Sequence, residues 1–278
     1  MSFLKDKTVV ITGAGGVLCS AFAQAMAKEG CKVALLDLNL EAAQAVADDI
    51  VGQAGKALAV SANVLERESL QAAHDTVLKT FGKCDVLING AGGNSPKCTT
   101  TKEYYEKGDI ENTDINSFFS LNKAGFDFVF DLNMAGTLLP CQIFAADMLG
   151  RAGCSILNVS SMNAFTPLTK IPAYSAAKAA VSNFTQWLAV HFAGENIRVN
   201  AIAPGFFVTK QNEALLYNAD GTPTQRTDKI LAATPMGRFG KAQELVGTLL
   251  WLTDTEKSGF VTGTIIPVDG GFSAYSGV

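Results

Sequence analysis

The sequence is poor in histidine and lacks ordered cysteine patterns. Only two of its 278 residues are histidine, His74 and His191, and the six cysteines include no C-x-x-C pair. Zinc sites need closely spaced sets of these ligands. We therefore predict no metal site and expect the thiols to be reduced, either buried or incidental. The cysteines are Cys19, Cys31, Cys84, Cys98, Cys141 and Cys154.

Charge is also scarce, at 17% of residues, and the net charge of -4 comes without a basic block. Binding to nucleic acid needs clustered lysine and arginine, so we expect no nucleic-acid partner. No uninterrupted apolar run reaches the roughly 18 residues of a membrane span, which predicts no membrane partner. The first seven residues carry charges where a signal peptide is apolar, so we expect the cytoplasm.

What the sequence does contain is a regular alternation of strand and helix patterns. Short β-branched runs alternate with Ala-rich helical segments, and we find no linker or repeat. The pattern predicts one α/β domain over residues 1–278, a doubly wound, Rossmann-like parallel sheet with helices on both faces. The predicted strands are 7–12, 32–37, 56–60, 85–89, 155–160, 198–203 and 263–268. The predicted helices are 18–29, 41–51, 67–80, 128–149, 173–193 and 243–252.

Two segments interrupt this rhythm, at about 93–126 and 207–235. Both follow the carboxyl ends of predicted strands, where ligands bind in such sheets. Long loops at this place are more often functional than not. We therefore predict that both are substrate-side insertions.

A glycine-rich turn joins the first strand to the first helix. Gly13, Gly15 and Gly16 would let the backbone approach a pyrophosphate, and the helix start at Val17 and Leu18 would offer free N–H groups. A glycine cluster is a weak signal alone, but its place between a buried strand and a helix makes it a dinucleotide-binding signal.

Asp37 ends the second predicted strand and is followed by Leu38, with no arginine nearby. A carboxylate at this position can accept hydrogen bonds from a ribose and would repel the extra phosphate of NADP. The sequence therefore favours NAD. The alternative is that Asp37 only caps the next turn.

Tyr174 and Lys178 are four residues apart and share one face of a predicted helix. A nearby ammonium group, together with the positive nicotinamide ring, favours the phenolate, so we expect Lys178 to lower the pKa of Tyr174 and to prepare it for acid–base work. This spacing also occurs by chance in many helices, so it needs the other motifs beside it.

Taken together, the motifs resemble the short-chain dehydrogenase/reductase family over nearly the whole chain. The resemblance includes the glycine-rich turn, Ser160-Ser161, Tyr174-x-x-x-Lys178 and Pro204-Gly205. It also includes Asn89-Gly90-Ala91-Gly92, Asn133-x-x-Gly136, Thr209 and Asp269-Gly270-Gly271.

The resemblance implies a role for each matching residue. Ser161, rather than Ser160, would hydrogen-bond the substrate oxygen, and Tyr174 would be the general acid/base. Lys178 would hold the nicotinamide ribose, and Asn133 would anchor a water on the proton path. Further cofactor contacts are implied for Asn63, Val64, Asn89, Gly90, Ala91, Pro204, Gly205, Phe207 and Thr209.

Four positions depart from the family pattern. Val17 and Cys19 stand where glycine is usual, Gly90 replaces an asparagine, and Asn63 replaces an aspartate that contacts adenine. These changes put the shape of the cofactor site in doubt but leave the Ser, Tyr, Lys and Asn set intact.

The insertions resemble a sugar-acid branch of the family, which implies interconversion of D-fructuronate and D-mannonate, with gluconate 5-dehydrogenase-like chemistry as the nearest alternative. A polyol carboxylate needs cations, N–H donors and other polar groups. Taken singly, each polar candidate is also typical of a solvated loop. The substrate candidates are Asn94, Lys97, Thr99, Ser161, Met162, Asn163, Lys170, Lys210, Gln211, Asn212 and Arg226.

Three other possibilities remain open. A steroid or acyl-carrier-linked ketone reductase would need an apolar wall or a basic docking patch. A non-catalytic NAD-binding regulator on the same fold would not need Tyr174. The family commonly forms homotetramers, and the broad apolar faces of 128–149 and 173–193 suggest a tetramer or dimer, although core packing would also explain them.

Overall fold

The computed structural model describes residues 2–209 and 212–277. Its seven strands form one parallel sheet in the order β3-β2-β1-β4-β5-β6-β7. The strands are β1 Thr8–Thr12, β2 Lys32–Asp37, β3 Lys56–Ser61, β4 Val86–Asn89, β5 Ser155–Val159, β6 Arg198–Pro204 and β7 Ile265–Val268. The predicted doubly wound α/β sheet is confirmed, with strand order reversing between β1 and β4.

Helices cover both faces of the sheet. They are α1 Val17–Lys28, α2 Leu40–Gly52, α3 Arg67–Phe81, α4 Lys123–Phe130, α5 Gly136–Phe144, α6 Pro172–His191, α7 Glu213–Leu216, α8 Gln225–Ala232, α9 Val246–Thr253 and α10 Thr255–Ser258. The apolar core is divided by the sheet. One cluster includes Phe22 and Ile11, and the other includes Phe144 and Leu87. Both faces of the strands are therefore buried, which explains their nearly continuous apolar sequences.

The long helical segment between β4 and β5 begins earlier than predicted. It starts at Lys123 and is interrupted by a π-helical turn, Asp131–Ala135, between α4 and α5. Asn122 caps its first turn by accepting from the N–H of Gly125 at 3.1 Å. The first insertion therefore ends at about residue 122 rather than 126.

This helical segment, Lys123–Met148, is the one part of the described chain long and apolar enough to cross a membrane. Its most apolar window has a mean hydropathy of 1.3, and 50% of that window is buried inside the fold. A buried core helix has the same composition, so this is a weak indication of a span. The sequence prediction had counted only uninterrupted apolar runs.

The second insertion contains two helices that the sequence prediction missed, α7 and α8. Thr224 caps α8 by accepting from the N–H of Thr227 at 3.3 Å. Asn212 stabilises the turn before α7, since its side chain accepts from Thr209 N and donates to Phe207 O, each at 2.8 Å. The insertions thus have internal structure and lie at the carboxyl ends of β4 and β6.

Candidate active site

Tyr174 and Lys178 lie on one face of α6, as their spacing predicts. The Lys178 ammonium lies 5.7 Å from the centre of the Tyr174 ring and donates to the carbonyl of Val159 at 2.8 Å. Lys178 is only 4% exposed. Pro172 is the first residue of α6, a position where the N–H that proline lacks has no partner in the helix. Tyr174 and Lys178 therefore lie in the first two turns of α6.

Asn133 lies in the π-helical turn and is fully buried. Its side-chain amide donates to the carbonyls of Gly93 and Val129, both at 2.7 Å. Gly92 lies between Asn133 and Lys178, because a Cβ on Gly92 would be 2.7 Å from Asn133 Oδ1 and 3.1 Å from Lys178 Nζ. A side chain at position 92 would fill this space. The family motif at 89–92 therefore ends in glycine for a steric reason.

Ser161 follows β5, accepts from Asn163 N at 3.3 Å, and lies close enough to Tyr174 to lower its pKa. Ser160 is used elsewhere, since its hydroxyl contacts the Ser182 hydroxyl at 2.7 Å and donates to the Lys178 carbonyl at 3.2 Å. Ser160 thus helps to anchor α6 to β5. The structure brings Asn133, Ser161, Tyr174 and Lys178 together at the carboxyl edge of the sheet.

The expected lowering of the Tyr174 pKa is wrong for the protein alone. Burial raises the pKa of Tyr174 above its usual 10.0, and the hydrogen bond with Ser161 lowers it less. The phenolate loses water on burial, and the Lys178 ammonium is directed at the Val159 carbonyl. Burial also lowers the pKa of Lys178 from 10.5 to about 8. The tyrosine is therefore protonated at neutral pH.

The glycine-rich turn has the geometry of a phosphate cradle. Gly13 has a φ of +66°, and a Cβ there would lie 2.9 Å from the backbone of Ala91. Gly16 begins α1 without a side-chain cap, which leaves the positive end of the helix open to an anion. Val17 and Leu18 are the first residues of α1.

Asp37 lies at the end of β2 beside this turn. Its carboxylate accepts from Gly15 N at 2.9 Å and from Asn39 N at 2.8 Å. It therefore makes the turn-capping contact that was the alternative to a ribose contact, and each oxygen retains a lone pair for a second donor. Leu38 beside it is largely exposed, at 74%.

The side chains of several predicted cofactor residues, or the backbone groups beside them, make hydrogen bonds within the protein. Thr12 accepts from the N–H groups of Gly90 and Ala91, and the Asn89 amide donates to Asn158 at 2.9 Å inside the sheet. The Asn63 side chain accepts from Leu65 N and donates to Glu66, while Val64 packs against Gly136. At these positions the side chains make contacts within the protein, so a cofactor would be contacted mainly by the backbone.

Phe207, a predicted cofactor residue, and Asn212, a predicted substrate residue, both have their side chains engaged within the fold. Phe207 is buried in the core, packed on Gly240, so its side chain is not available to a ligand. The Asn212 side-chain amide accepts from Thr209 N and donates to the Phe207 carbonyl. Nearby, Gly205 packs so closely on Asp269 that a Cβ would be 2.5 Å away. Pro204 closes β6, and Thr209 accepts from the first residues of the α7 turn.

The remaining substrate candidates are dispersed. Asn94 donates to Thr99 at 3.1 Å on the surface, and Lys97 is exposed at the start of the first insertion. Met162 and Asn163 are buried behind Ser161, and Asn163 Oδ1 has no hydrogen-bond partner within the described residues. Lys210 and Gln211 lie outside the described residues.

Lys170 and Arg226 are brought together with two residues that the sequence analysis missed, Glu103 and Lys229. All four line a cavity of about 320 Å³ at the carboxyl edge of the sheet. Lys229 could have been found from its spacing of three residues from Arg226. In helix α8, which the sequence analysis did not predict, this spacing places both side chains on one face. A larger cavity of about 480 Å³ lies beside α1, away from Tyr174.

Comparisons with known proteins agree with this geometry. A family model described as short chain dehydrogenase matches residues 7–219. An uncharacterised oxidoreductase of Haemophilus influenzae is 58% identical over 275 residues, covering 99% of this chain and 96% of the relative. The uncharacterised oxidoreductase UxuB of Bacillus subtilis is 54% identical, covering 99% of this chain and 98% of the relative.

A solved structure from Haemophilus influenzae, described as a candidate D-mannonate oxidoreductase with bound NAD, is also similar. Its TM-score is 0.95 at 58% identity, and the match covers 100% of this chain and 98% of that chain.

Cys19 and Gly90, two of the family departures, form a complementary pair. A Cβ on Gly90 would overlap the buried Cys19 thiol. We expect Gly90→Ala to lower the free energy of unfolding by about 2 kcal/mol through overpacking. Cys19→Ala removes the nearer of two obstacles, the other being the Thr12 carbonyl oxygen at 3.0 Å, so the double variant should recover at least ~1 kcal/mol relative to the sum of the single variants. Urea unfolding of the four proteins measures this coupling, and strict additivity would contradict it.

Lys178 should destabilise the fold at neutral pH. The lowered pKa corresponds to a penalty on the order of 3 kcal/mol for burying the ammonium, partly offset by its hydrogen bond. We expect Lys178→Met to raise the free energy of unfolding by about 1–3 kcal/mol at pH 7 in urea titrations.

This gain should shrink as the pH rises from about 8 towards 10.5. In that range the unfolded wild-type chain holds a proton that the folded chain has lost, so wild-type stability increases with pH. The exposed helix residue Lys79 provides the control, Lys79→Met. A Lys178→Met protein that is less stable than wild type at both ends of the range would refute this interpretation.

Proposed function

This chain belongs to the short-chain dehydrogenase family of oxidoreductases, and we propose that it is an NAD-dependent enzyme that interconverts a keto sugar acid and its hydroxy form. The observation that carries the proposal is the clustering of Ser161, Tyr174, Lys178 and Asn133 at the carboxyl edge of the sheet. A cavity lined by Lys170 and Arg226 lies at the same edge. D-fructuronate and D-mannonate are the proposed pair, supported by the 58% identity to the candidate D-mannonate oxidoreductase.

The residues beside β1 and β2 fit NAD. The open start of α1 and the close backbone approach at Gly13 suit the pyrophosphate, and Asp37 is placed to accept from the adenosine ribose. Lys178 and Tyr174 would hold the nicotinamide ribose. When bound, the cofactor supplies the hydride for carbonyl reduction or accepts it in alcohol oxidation.

The side chains around Tyr174 supply the proton chemistry. In the reductive direction the Ser161 hydroxyl donates to the substrate carbonyl oxygen. The Tyr174 phenol then gives its proton to that oxygen while the carbonyl carbon gains hydride, which leaves an alcohol and a phenolate. Burial raises the pKa of Tyr174, so the phenol holds the proton that reduction requires. Asn133 fixes the backbone turn beside Lys178 by donating to the carbonyls of Gly93 and Val129.

We propose that the enzyme acts in the cytoplasm as a homotetramer or homodimer. Apolar side chains on the outer face of α6 support assembly, because Trp187 is 57% and Val190 79% exposed in one chain. Small-molecule substrates are the partners that the family membership implies.

The activity is tested by the decrease in NADH absorbance with a panel of keto-uronic and keto-aldonic acids that includes D-fructuronate and 5-keto-D-gluconate. We expect turnover of D-fructuronate, and a loss of at least about 10³-fold in kcat for Tyr174→Phe, because the proton donor is gone. Tyr174→Phe should still bind NADH in a fluorescence titration.

Tyr104→Phe, which removes a hydroxyl from an exposed tyrosine, is the matched control and should match wild type. A Tyr174→Phe protein with full turnover would sink the assignment. A wild-type protein that binds NADH but reduces no carbonyl in the panel would favour the non-catalytic regulator.

The preference for NAD is tested with Asp37→Asn, which keeps an acceptor but removes the negative charge. We expect the ratio of kcat/KM for NADPH to that for NADH to rise at least about 10-fold, because repulsion of the extra phosphate is relieved. Asp48→Asn, on the exposed face of α2, is the control. An unchanged ratio would restrict Asp37 to its turn-capping contacts.

A further inference from the structure

A cavity of about 320 Å³ lies where the two insertions meet the catalytic edge of the sheet. Leu168, Thr169 and Lys170 form one wall, and they belong to the segment that joins Ser161 to Tyr174. Phe206, just after β6, and Phe272 form an aromatic wall with their rings 5.2 Å apart. A volume of this size suits a small ligand, at the lower end of the usual range of about 300–1,000 Å³.

The cavity has an excess of positive charge. Three cations, Lys170, Arg226 and Lys229, face a single carboxylate, Glu103. Lys229 pairs with Glu103 at 2.9 Å and so joins α8 to the first insertion. Within residues 2–209 and 212–277, neither Lys170 nor Arg226 has an ion-pair partner or a side-chain hydrogen bond. Both still influence Glu103, since together with Lys229 they lower its pKa.

Lys170 adopts a backbone conformation that normally favours glycine. Its φ of +72° lies in the left-handed region, where an L side chain is strained by on the order of 1 kcal/mol. The conformation lets the Lys170 carbonyl accept from Thr100 N at 2.8 Å, which ties the first insertion to the catalytic segment. Glycine would serve this backbone contact as well, so the contact does not explain why lysine occupies the position.

We propose that Lys170 and Arg226 form the carboxylate-binding subsite for the sugar-acid substrate, with Glu103 as the internal counter-ion that holds Lys229 away from it. The aromatic wall of Phe206 and Phe272 suits the apolar face of a sugar chain, and Thr169 offers a hydroxyl. This inference rests on the proposed function, because it names the residues that make that enzyme select an acid over a neutral ketose.

The experiment compares Lys170→Gly, Arg226→Gln and Glu103→Gln with wild type, using D-fructuronate and the neutral ketose D-fructose at saturating NADH. Lys170→Gly and Arg226→Gln should each raise KM for D-fructuronate at least about 10-fold, with little change in KM for NADH or for D-fructose. Glu103→Gln should lower KM for D-fructuronate about 2- to 5-fold, because one opposing charge is removed.

Two further measurements separate binding from folding. Lys170→Gly should not lower the Tm, since glycine relieves the backbone strain while its greater freedom in the unfolded chain offsets the gain. Lys107→Gln removes a surface charge from the same insertion and should leave every KM unchanged. Thermal stabilisation by D-mannonate in the presence of NADH reports binding without turnover and should be lost in Lys170→Gly and Arg226→Gln.

If wild type reduces D-fructuronate and both cation variants keep its KM, the subsite is wrong while the proposed function stands. If wild type reduces no sugar acid but D-mannonate stabilises it in a Lys170- and Arg226-dependent way, the proposed function fails and the subsite stands. An absence of both turnover and stabilisation in wild type would overturn the two together.

Discussion

An ammonium group held out of water sets the character of this site. Lys178 is buried in α6 with the Val159 carbonyl as its hydrogen-bond acceptor, and burial lowers its pKa to about 8. The arrangement is unfavourable for folding, and it persists because β5, α6 and the buried Asn133 turn enclose it from three sides. Close packing leaves room for Lys178 only because residue 92 has no side chain. The buried ammonium and the glycine at position 92 are therefore coupled by packing.

The same burial acts on Tyr174 in the opposite sense. Loss of water around the phenol raises the pKa of Tyr174, so the tyrosine holds its proton in the protein alone. The sequence prediction of a lowered pKa rested on the lysine four residues away and on the positive nicotinamide ring. It had no means of weighing desolvation or of knowing that the ammonium points to a backbone carbonyl. The direction of a pKa shift depends on distances and burial that spacing alone does not provide.

Patterns repeated along the chain were predictable from sequence. The seven strands and the helices that pack on them follow from apolar periodicity, and the grouping of Ser161, Tyr174, Lys178 and Asn133 was implied by the resemblance to the family. What could not be predicted depended on single contacts. Phe207 is buried because Gly240 has no side chain where the Phe207 ring packs. The Asn212 amide makes two hydrogen bonds within its own loop. Helix α8 is short and mostly polar, so its sequence was interpreted as part of a loop. Lys229 was therefore not predicted as a site residue.

The sheet edge and the two insertions contribute different residues to the site. The sheet edge supplies atoms that are held rigidly by α6 and the π-helical turn. The insertions surround the cavity with charge and are joined to the catalytic segment by the Thr100–Lys170 backbone contact and to each other by the Glu103–Lys229 ion pair. Lys170 belongs to the segment between Ser161 and Tyr174, so the proposed carboxylate subsite and the proposed proton donor share one part of the chain.

The contact between Cys19 and Gly90 couples the two positions sterically. The Cys19 thiol fills the volume that a side chain at position 90 would require. An asparagine at position 90, the residue of the family pattern, would clash with the thiol as it lies here. Residues 19 and 90 therefore restrict each other's size.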